Sequence, residues 1–326
     1  MKKSIVFAGF SLPTYVEIAR TLCEEQGFEL ICIYNRQATG KYQAYLNLFD
    51  QSIEATDTQA LAEIDPIAIT CTQERDAQLY LTLLKQFSII DTAEYDSFQS
   101  VINKESLKQK LAENGHTFIP RTYTLENIPR EQNAYPLVIK PIGFGGSVFV
   151  KKVSSYTEAI AFHQANREAA VALGQAEYGF IPSFVAEDFI EGPQFGINVY
   201  ISKQGETIFC PFVRVVPALE IDLPDTYSVY QYTPWELPAD QTNDLENTIK
   251  TVIKEFSLHS TSAHFDLVQS PNGWKLLEVG LRIGGNRHTM FNLSHKLNHF
   301  RNDLLNRLRQ PVEMTDLHQY VAIVQK

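Results

Sequence analysis

The sequence predicts an α/β protein: a small doubly wound domain comes first, and the remainder mixes helices with antiparallel hairpins (α+β in its core). Three observations carry that expectation. Residues 4–35 run SIVFAGF, PTYVEIARTLCEEQG and FELICIYN, an order of apolar strand, amphipathic helix and apolar strand that builds parallel sheet. Residues 135–153, YPLVIKPIGFGGSVFVKKV, set a glycine cluster between two apolar runs and so predict a hairpin. Residues 263–280, AHFDLVQSPNGWKLLEVG, set Pro-Asn-Gly between two more and predict another.

Gly27 stops the first helix. DPIAITCT (65–72) then reads as a buried strand and ERDAQLYLTLLKQF (74–87) as a helix, so the doubly wound domain spans residues 1–95. The loop after its first strand holds one glycine, Gly9, and no G-x-G-x-x-G, which predicts a scaffold abutting the active site rather than a nucleotide binder. A middle domain, 96–180, opens on a helix capped by Asn103 and stopped at Gly115, carries the glycine-rich hairpin, and closes on a helix over 155–173. The third domain, 181–326, carries strands over 184–202 and 206–216 and a helix over 241–256. After the Pro-Asn-Gly hairpin come one final helix, 288–309, and a strand, 320–325. Residues 217–240, rich in Pro and Tyr without a period, predict a long loop.

A chain of 326 residues, 44% hydrophobic and 20% charged, can bury a real core. Its net charge of −10 argues against a nucleic-acid partner. No apolar run approaches the ~18 residues of a membrane span. The apolar stretch of MKKSIVFAGF is too short for a signal peptide and lacks a small-residue cleavage site, so it reads as a strand. Cys23, Cys32, Cys71 and Cys210 are scattered, which fits reduced thiols in a cytoplasmic protein.

The chemistry concentrates in three places. In LVIKPIGFGGS, Lys140 precedes the glycines and a strand follows them, which excludes the Walker loop. A lysine inside an apolar strand is costly without an anion, and Gly143, Gly145, Gly146 and Ser147 can offer backbone N–H groups and a hydroxyl to one. The stretch is either a phosphate lid or a bulged turn. Second, Asp266 and Glu278 lie on the two strands of the later hairpin and would share a face if those strands pair in register. Two hard carboxylates suit Mg²⁺ bound together with substrate phosphates; the alternative is a pair of exposed acids. Glu278 interrupts the apolar run KLLEVGL, and Arg282 follows it. Third, Glu187-Asp188-Phe189-Ile190 could present a free strand edge to adenine.

Together and in this order the pieces resemble the ATP-grasp superfamily over nearly the whole chain. The likeness is greatest to the carboxylate–amine ligases that include bacterial L-amino-acid ligases and carnosine-synthase-like enzymes. It implies the ATP-grasp fold, with a Rossmann-like pre-ATP-grasp domain, a central lid domain and a core carrying the metal site. By this resemblance Lys104 and Lys140 contact phosphate, Gly143, Gly145, Gly146 and Ser147 form the lid, and Glu187 meets the adenine amino group. Asp188, Ile190 and Leu277 join the nucleotide set, and Gln194 stands where a ribose-binding glutamate is usual. Asp266, two residues after His264, and Glu278 take the metal positions, and Arg282 is the catalytic arginine of the family's E-x-N-x-R. Gly280 departs from that motif by replacing its asparagine.

Arg214, His264, Arg282 and Asn286 are the substrate candidates, and Tyr227, Tyr230, Tyr232 and Trp235 either line the acceptor side or pack as surface aromatics. The resemblance implies ATP with Mg²⁺, or Mn²⁺ in its place, and small carboxylate and amine substrates, amino acids or peptides. It also admits a homodimer. The sequence ends soon after the core, so the extra C-terminal domain of larger amino-acid ligases is expected to be absent. Two other functions fit the same residues: a nucleotide-binding regulator with weakened catalysis, and another acyl-phosphate user such as a carboxylase.

Overall fold

The computed structural model describes residues 1–35, 43–217, 220, 229–317 and 319–325. Strands β1 (Lys3–Ala8), β2 (Glu29–Tyr34), β3 (Gln51–Glu54) and β4 (Asp65–Thr70) form a parallel sheet in the order β3-β2-β1-β4. Helix α1 (Pro13–Gln26) crosses between the first two strands. Pro13 starts it, Gly27 ends it at φ 73°, and Tyr15, Val16, Ala19, Leu22 and Cys23 face the core. Two single-turn helices, α2 (Gln43–Leu46) and α3 (Thr58–Leu61), flank β3, and α4 (Ala77–Gln86) follows β4. Strand β3 was not expected; it is an edge strand with only Ile53 buried, too little apolar pattern to detect. Helix α5 (Thr92–Ile102), begun by a capping box of Asp91 and Glu94, and α6 (Lys104–Glu113), capped by Asn103, lead out of this layer.

Strands β5 (Thr122–Thr124), β6 (Leu137–Pro141), β7 (Lys151–Val153) and β8 (Phe184–Asp188) form an antiparallel sheet ordered β5-β8-β6-β7. Helix α7 (Tyr156–Leu173) packs on it around Leu137, Ile139, Phe144, Val153 and Phe184. The predicted hairpin is present, but its second strand is only three residues long. Gly143, Gly146, Ser147 and Phe149 sit at φ 82°, 70°, 56° and 56°, a left-handed conformation that no strand accommodates. The glycine cluster is therefore a broad loop rather than a tight turn.

The largest sheet holds β9 (Gln194–Ile201), β10 (Thr207–Phe209), β11 (Val213–Pro217), β12 (Val229–Thr233), β13 (Thr261–Ser270), β14 (Gly273–Gly280) and β15 (Val321–Gln325). Its order is β14-β13-β9-β11-β12-β15, with β10 on β9. Amphipathic α8 (Ala239–Glu255) lays Leu245, Ile249, Val252 and Ile253 on the core. Two expectations are corrected here. Part of the predicted 217–240 loop is strand β12, paired on both edges; Tyr227 falls outside the described residues. The final helix is two, α9 (Arg287–His295) and α10 (His299–Arg307), because Lys296 turns left-handed at φ 56°.

Helix α10 locks the first layer onto the last. Buried Asp303 accepts bonds from Arg307 Nε at 3.0 and 3.1 Å, from Thr70 Oγ1 at 2.7 Å and from the Tyr15 hydroxyl. The end of β4, and the turn Glu74–Asp76 that follows it, is thereby held against the largest sheet. All four cysteines are buried and free. Among the described residues, no helix is long and apolar enough to cross a membrane.

Candidate active site

On α6, Lys104 and Lys108 are four residues apart, so both point inward from one face, and both are buried. The β8 register sets Glu187 beside Val138 of β6, and Lys140 lies two residues farther along that strand. Lys108 pairs with Glu187 Oε1, and Lys140 Nζ lies 2.7 Å from Glu187 Oε2. Burial alone would raise the Glu187 carboxyl, but Lys140 and Lys108 hold it below the usual range. Burial, then the Lys140 charge, pushes Lys108 down to about 7. When both lysines are protonated the trio carries one spare positive charge for an anion.

The second group lies on the β13–β14 hairpin. Asp266 faces Glu278 directly across the ladder, as the in-register condition required. The register slips by one residue between Asp266 and Leu267, leaving Leu277 as the extra residue of a bulge. That bulge lets Leu276 and Val279 stay buried while Glu278 remains on the Asp266 face. The two side chains are 27% and 25% exposed, so a ligand can reach them. Asp266 Oδ1 lies 3.3 Å from His264 Nε2. Burial opposes ionisation of Asp266, yet His264, Arg287 and Arg282 keep its carboxyl below the usual range.

Lys104 joins this pair to the glycine loop. Its Nζ lies 2.9 Å from Glu278 Oε2 and donates to the Phe144 carbonyl at 2.8 Å. Burial pulls Lys104 down, but Glu278 and Glu74 together raise it above its ordinary value. Phe144 anchors the loop, with its ring 6.0 Å from Phe180 and edge-on. Gly143 must be small as well as left-handed, since a Cβ there would sit 2.7 Å from Phe180 Cζ. Gly145 passes over Glu74, whose Cβ would be 3.4 Å from an added Cβ.

Arg282 closes the arrangement: its Nε and Nη2 both lie 3.0 Å from Glu74 Oε2, in the turn after β4. A Cβ at Gly280 would stand 3.6 Å from Arg282 Cγ and 3.7 Å from Glu74 Oε2. The first layer thus reaches Arg282 through a carboxylate.

The remaining candidates divide. Tyr123 donates to Asp188 Oδ1 at 3.0 Å, and Ile190 follows β8, half-buried. Gln194 opens β9, and its carbonyl accepts Arg214 Nη1 at 3.1 Å. Arg214 is buried and paired with Glu220, which engages it away from the acid pair. Ser147 is exposed on the loop, and Asn286 precedes α9 at φ 60°. Tyr230, Tyr232 and Trp235 pack on one another, with centroids 5.4 and 5.3 Å apart. Sequence reasoning missed Lys108, Glu74 and Arg287. The i,i+4 spacing from Lys104 could have revealed Lys108; nothing local marks Glu74.

Among the described residues, no group of three or more His, Cys, Asp or Glu side chains could hold a metal. Asp266 and Glu278, paired across the ladder, could supply two carboxylate ligands, a set that would suit Mg²⁺ arriving with phosphates rather than a resident ion.

Residues 133–290 match the family model of the ATP-grasp domain. No curated protein matches the sequence. Among solved structures, the L-amino acid ligase from Bacillus licheniformis is similar at TM-score 0.70 and 19% identity, over 96% of this chain and 75% of that one. The N5-carboxyaminoimidazole ribonucleotide synthetase from Thermotoga maritima gives 0.67 and 14%, over 99% and 80%. The biotin carboxylase from Campylobacter jejuni gives 0.67 and 14%, over 99% and 75%. At these identities the likeness is one of fold.

Proposed function

Because residues 133–290 match the ATP-grasp domain, we propose that the chain is an ATP- and Mg²⁺-dependent ligase that joins a carboxylate to an amine. A carboxylate oxygen attacks the γ-phosphorus, the bond to the β–γ bridging oxygen breaks, and ADP leaves. The amine nitrogen then attacks the acyl carbon of the acyl phosphate, phosphate leaves with the bonding pair, and the nitrogen loses a proton. Amino acids or peptides are the substrates to try first.

The observation that carries this reading is the register pairing of Asp266 with Glu278, with Lys104 linking Glu278 to the glycine loop. Mg²⁺, when bound by those two acids, would neutralise phosphate charge. Lys104, Lys108 and Lys140 would hold the phosphates, and the backbone of Gly143, Gly145, Gly146 and Ser147 would close over them. The family resemblance implies that Glu187 meets adenine, but here both its oxygens hold lysines. We therefore give the adenine edge to the backbone of Asp188 and Ile190, with Leu277 beside the ring, and a ribose hydroxyl to the Gln194 amide. Arg282, held by Glu74, would balance the charge that develops on the acyl phosphate. Buried free thiols suit a reducing compartment, and we assign the enzyme to the cytoplasm.

Incubation with ATP, Mg²⁺ and amino-acid pools tests the reading. ADP and phosphate release should need both an acid and an amine, and the product mass should be their sum less water. A product heavier by carboxylate in the presence of bicarbonate would point to a carboxylase instead. Gly280 and Gln194 favour one further reading, a nucleotide-binding regulator. Tight ATP binding without turnover in any mixture would select it.

A further inference from the structure

Beside the acid pair lies a buried cation that the reaction scheme does not use. Arg287 opens α9 and is 3% exposed, yet no carboxylate lies within ion-pair distance of it among the described residues. Its Nη1 donates to the neutral amide oxygen of Gln231 and reaches Met290 Sδ at 3.6 Å, while its Nε has no partner. Two more buried polar atoms beside it are also unpartnered: Asn198 Nδ2 and His264 Nδ1. Asn198, 1% exposed, is oriented unambiguously, because its Oδ1 accepts the Gly284 N–H at 2.8 Å and its NH₂ faces the other way.

The backbone is shaped around this cluster. The β9–β13 register sets His264 opposite Asn198 and Asp266 opposite Gly196. A side chain at Gly196 would collide with the Arg287 guanidinium. One at Gly284 would come within 2.7 Å of His264 Nδ1 and 2.9 Å of Arg287 Cγ. Burial pulls Arg287 down to about 10; Asp266 opposes this and Arg282 adds to it, which places the guanidinium within the field of the reacting centre. A buried guanidinium without an anion is costly, and the two unpartnered donors Arg287 Nε and Asn198 Nδ2 suit a planar acceptor with two oxygens.

We propose that Arg287 and the Asn198 amide bind a carboxylate group of a substrate. The inference rests on the ligase reading and extends it by naming where a substrate is held. The carboxylate is either the one that becomes phosphorylated or the α-carboxylate of the amino acid that supplies the amine.

The test is a thermal-shift titration, with and without ADP and Mg²⁺, of the twenty amino acids and their α-amides. At least one amino acid should raise Tm while its amide does not, and Arg287→Met should weaken that binding about tenfold to a hundredfold. Arg287→Lys should recover part of it. Asn198→Asp keeps the acceptor for Gly284 but replaces the donor with charge, and should abolish carboxylate binding. It serves as the decisive variant if Arg287→Met does not fold. In turnover, a raised KM for the amine donor alone assigns the retained carboxylate; a fall in kcat with a raised KM for the acid assigns the reacting one. Nucleotide binding intact with no carboxylate shift, or an unchanged shift in both variants, overturns the inference. Failure of ADP to bind would instead count against the ligase reading.

Discussion

Glu74 Oε2 lies 3.0 Å from both Nε and Nη2 of Arg282, so a carboxylate from the first layer holds the arginine beside the acid pair. Its neighbours on the other side are the loop glycine Gly145 and Gly280. One side chain therefore joins the first layer, the glycine loop and the end of β14.

Glu74→Gln removes the charge that orients Arg282 while keeping its shape. We expect kcat to fall about tenfold to a hundredfold, the equivalent of one charge-assisted bond, with KM for ATP little changed. An equal rise in KM for ATP would show Glu74 acting on nucleotide binding instead.

Lys108 predicts a pH dependence. Its folded value of about 7 lies below the unfolded value of about 10.4, so the unfolded chain binds more protons between them. This group alone makes stability rise with pH across that window. A bound phosphate favours the protonated lysine and raises its pKa. ATP binding at pH 8 should therefore take up close to one proton, and affinity should fall as pH rises above about 7. Calorimetry in two buffers of different ionisation enthalpy measures the uptake. Lys108→Met should remove it; uptake unchanged in that variant contradicts the assignment.

Because no group of three or more acidic, His or Cys side chains gathers among the described residues, Mg²⁺ alone should bind the Asp266–Glu278 pair too weakly to detect by calorimetry, and should bind once ADP is present. A Cβ at Gly280 meets only ordinary contacts. Gly280→Asn should therefore fold and lower the Mg²⁺ concentration needed for half-maximal rate. A half-maximal concentration that stays unchanged would place position 280 outside the metal's reach.

Gly143→Ala puts a Cβ into Phe180 at a residue with φ 82°. The lid loop should shift, raising KM for ATP about tenfold, with the rest of the fold retained. Gly146→Ala, where nothing lies within 4 Å of the added Cβ, isolates the cost of the left-handed backbone alone.

Much of this was legible in the sequence because local chemistry announces it. Pro13 and Gly27 bound the first helix, and Pro-Asn-Gly joins β13 to β14 where expected. The order of Lys140 and the glycines after it excluded a Walker loop and left a phosphate lid or a bulged turn open; the broad left-handed loop rules out the tight turn. What stayed hidden depends on tertiary contact. Glu74 and Arg282 are 208 positions apart, and no periodicity links them. The bulge at Leu277 that keeps Glu278 opposite Asp266 leaves no mark in an alternating run. Ser147 and Phe149 read as a strand by hydrophobicity, yet their left-handed backbone ends it. Lys296 breaks the last helix in the same way.

In the proposed reaction, phosphate transfer is organised around Glu278, which is paired with Asp266 and bound to Lys104. The most direct measurement is substrate-dependent ADP release by Glu278→Ala beside the unaltered chain, each with ATP, Mg²⁺ and an amino-acid pool. The account predicts release by the unaltered chain only when acid and amine are both present, and none above background from Glu278→Ala. Equal release from both proteins would contradict it.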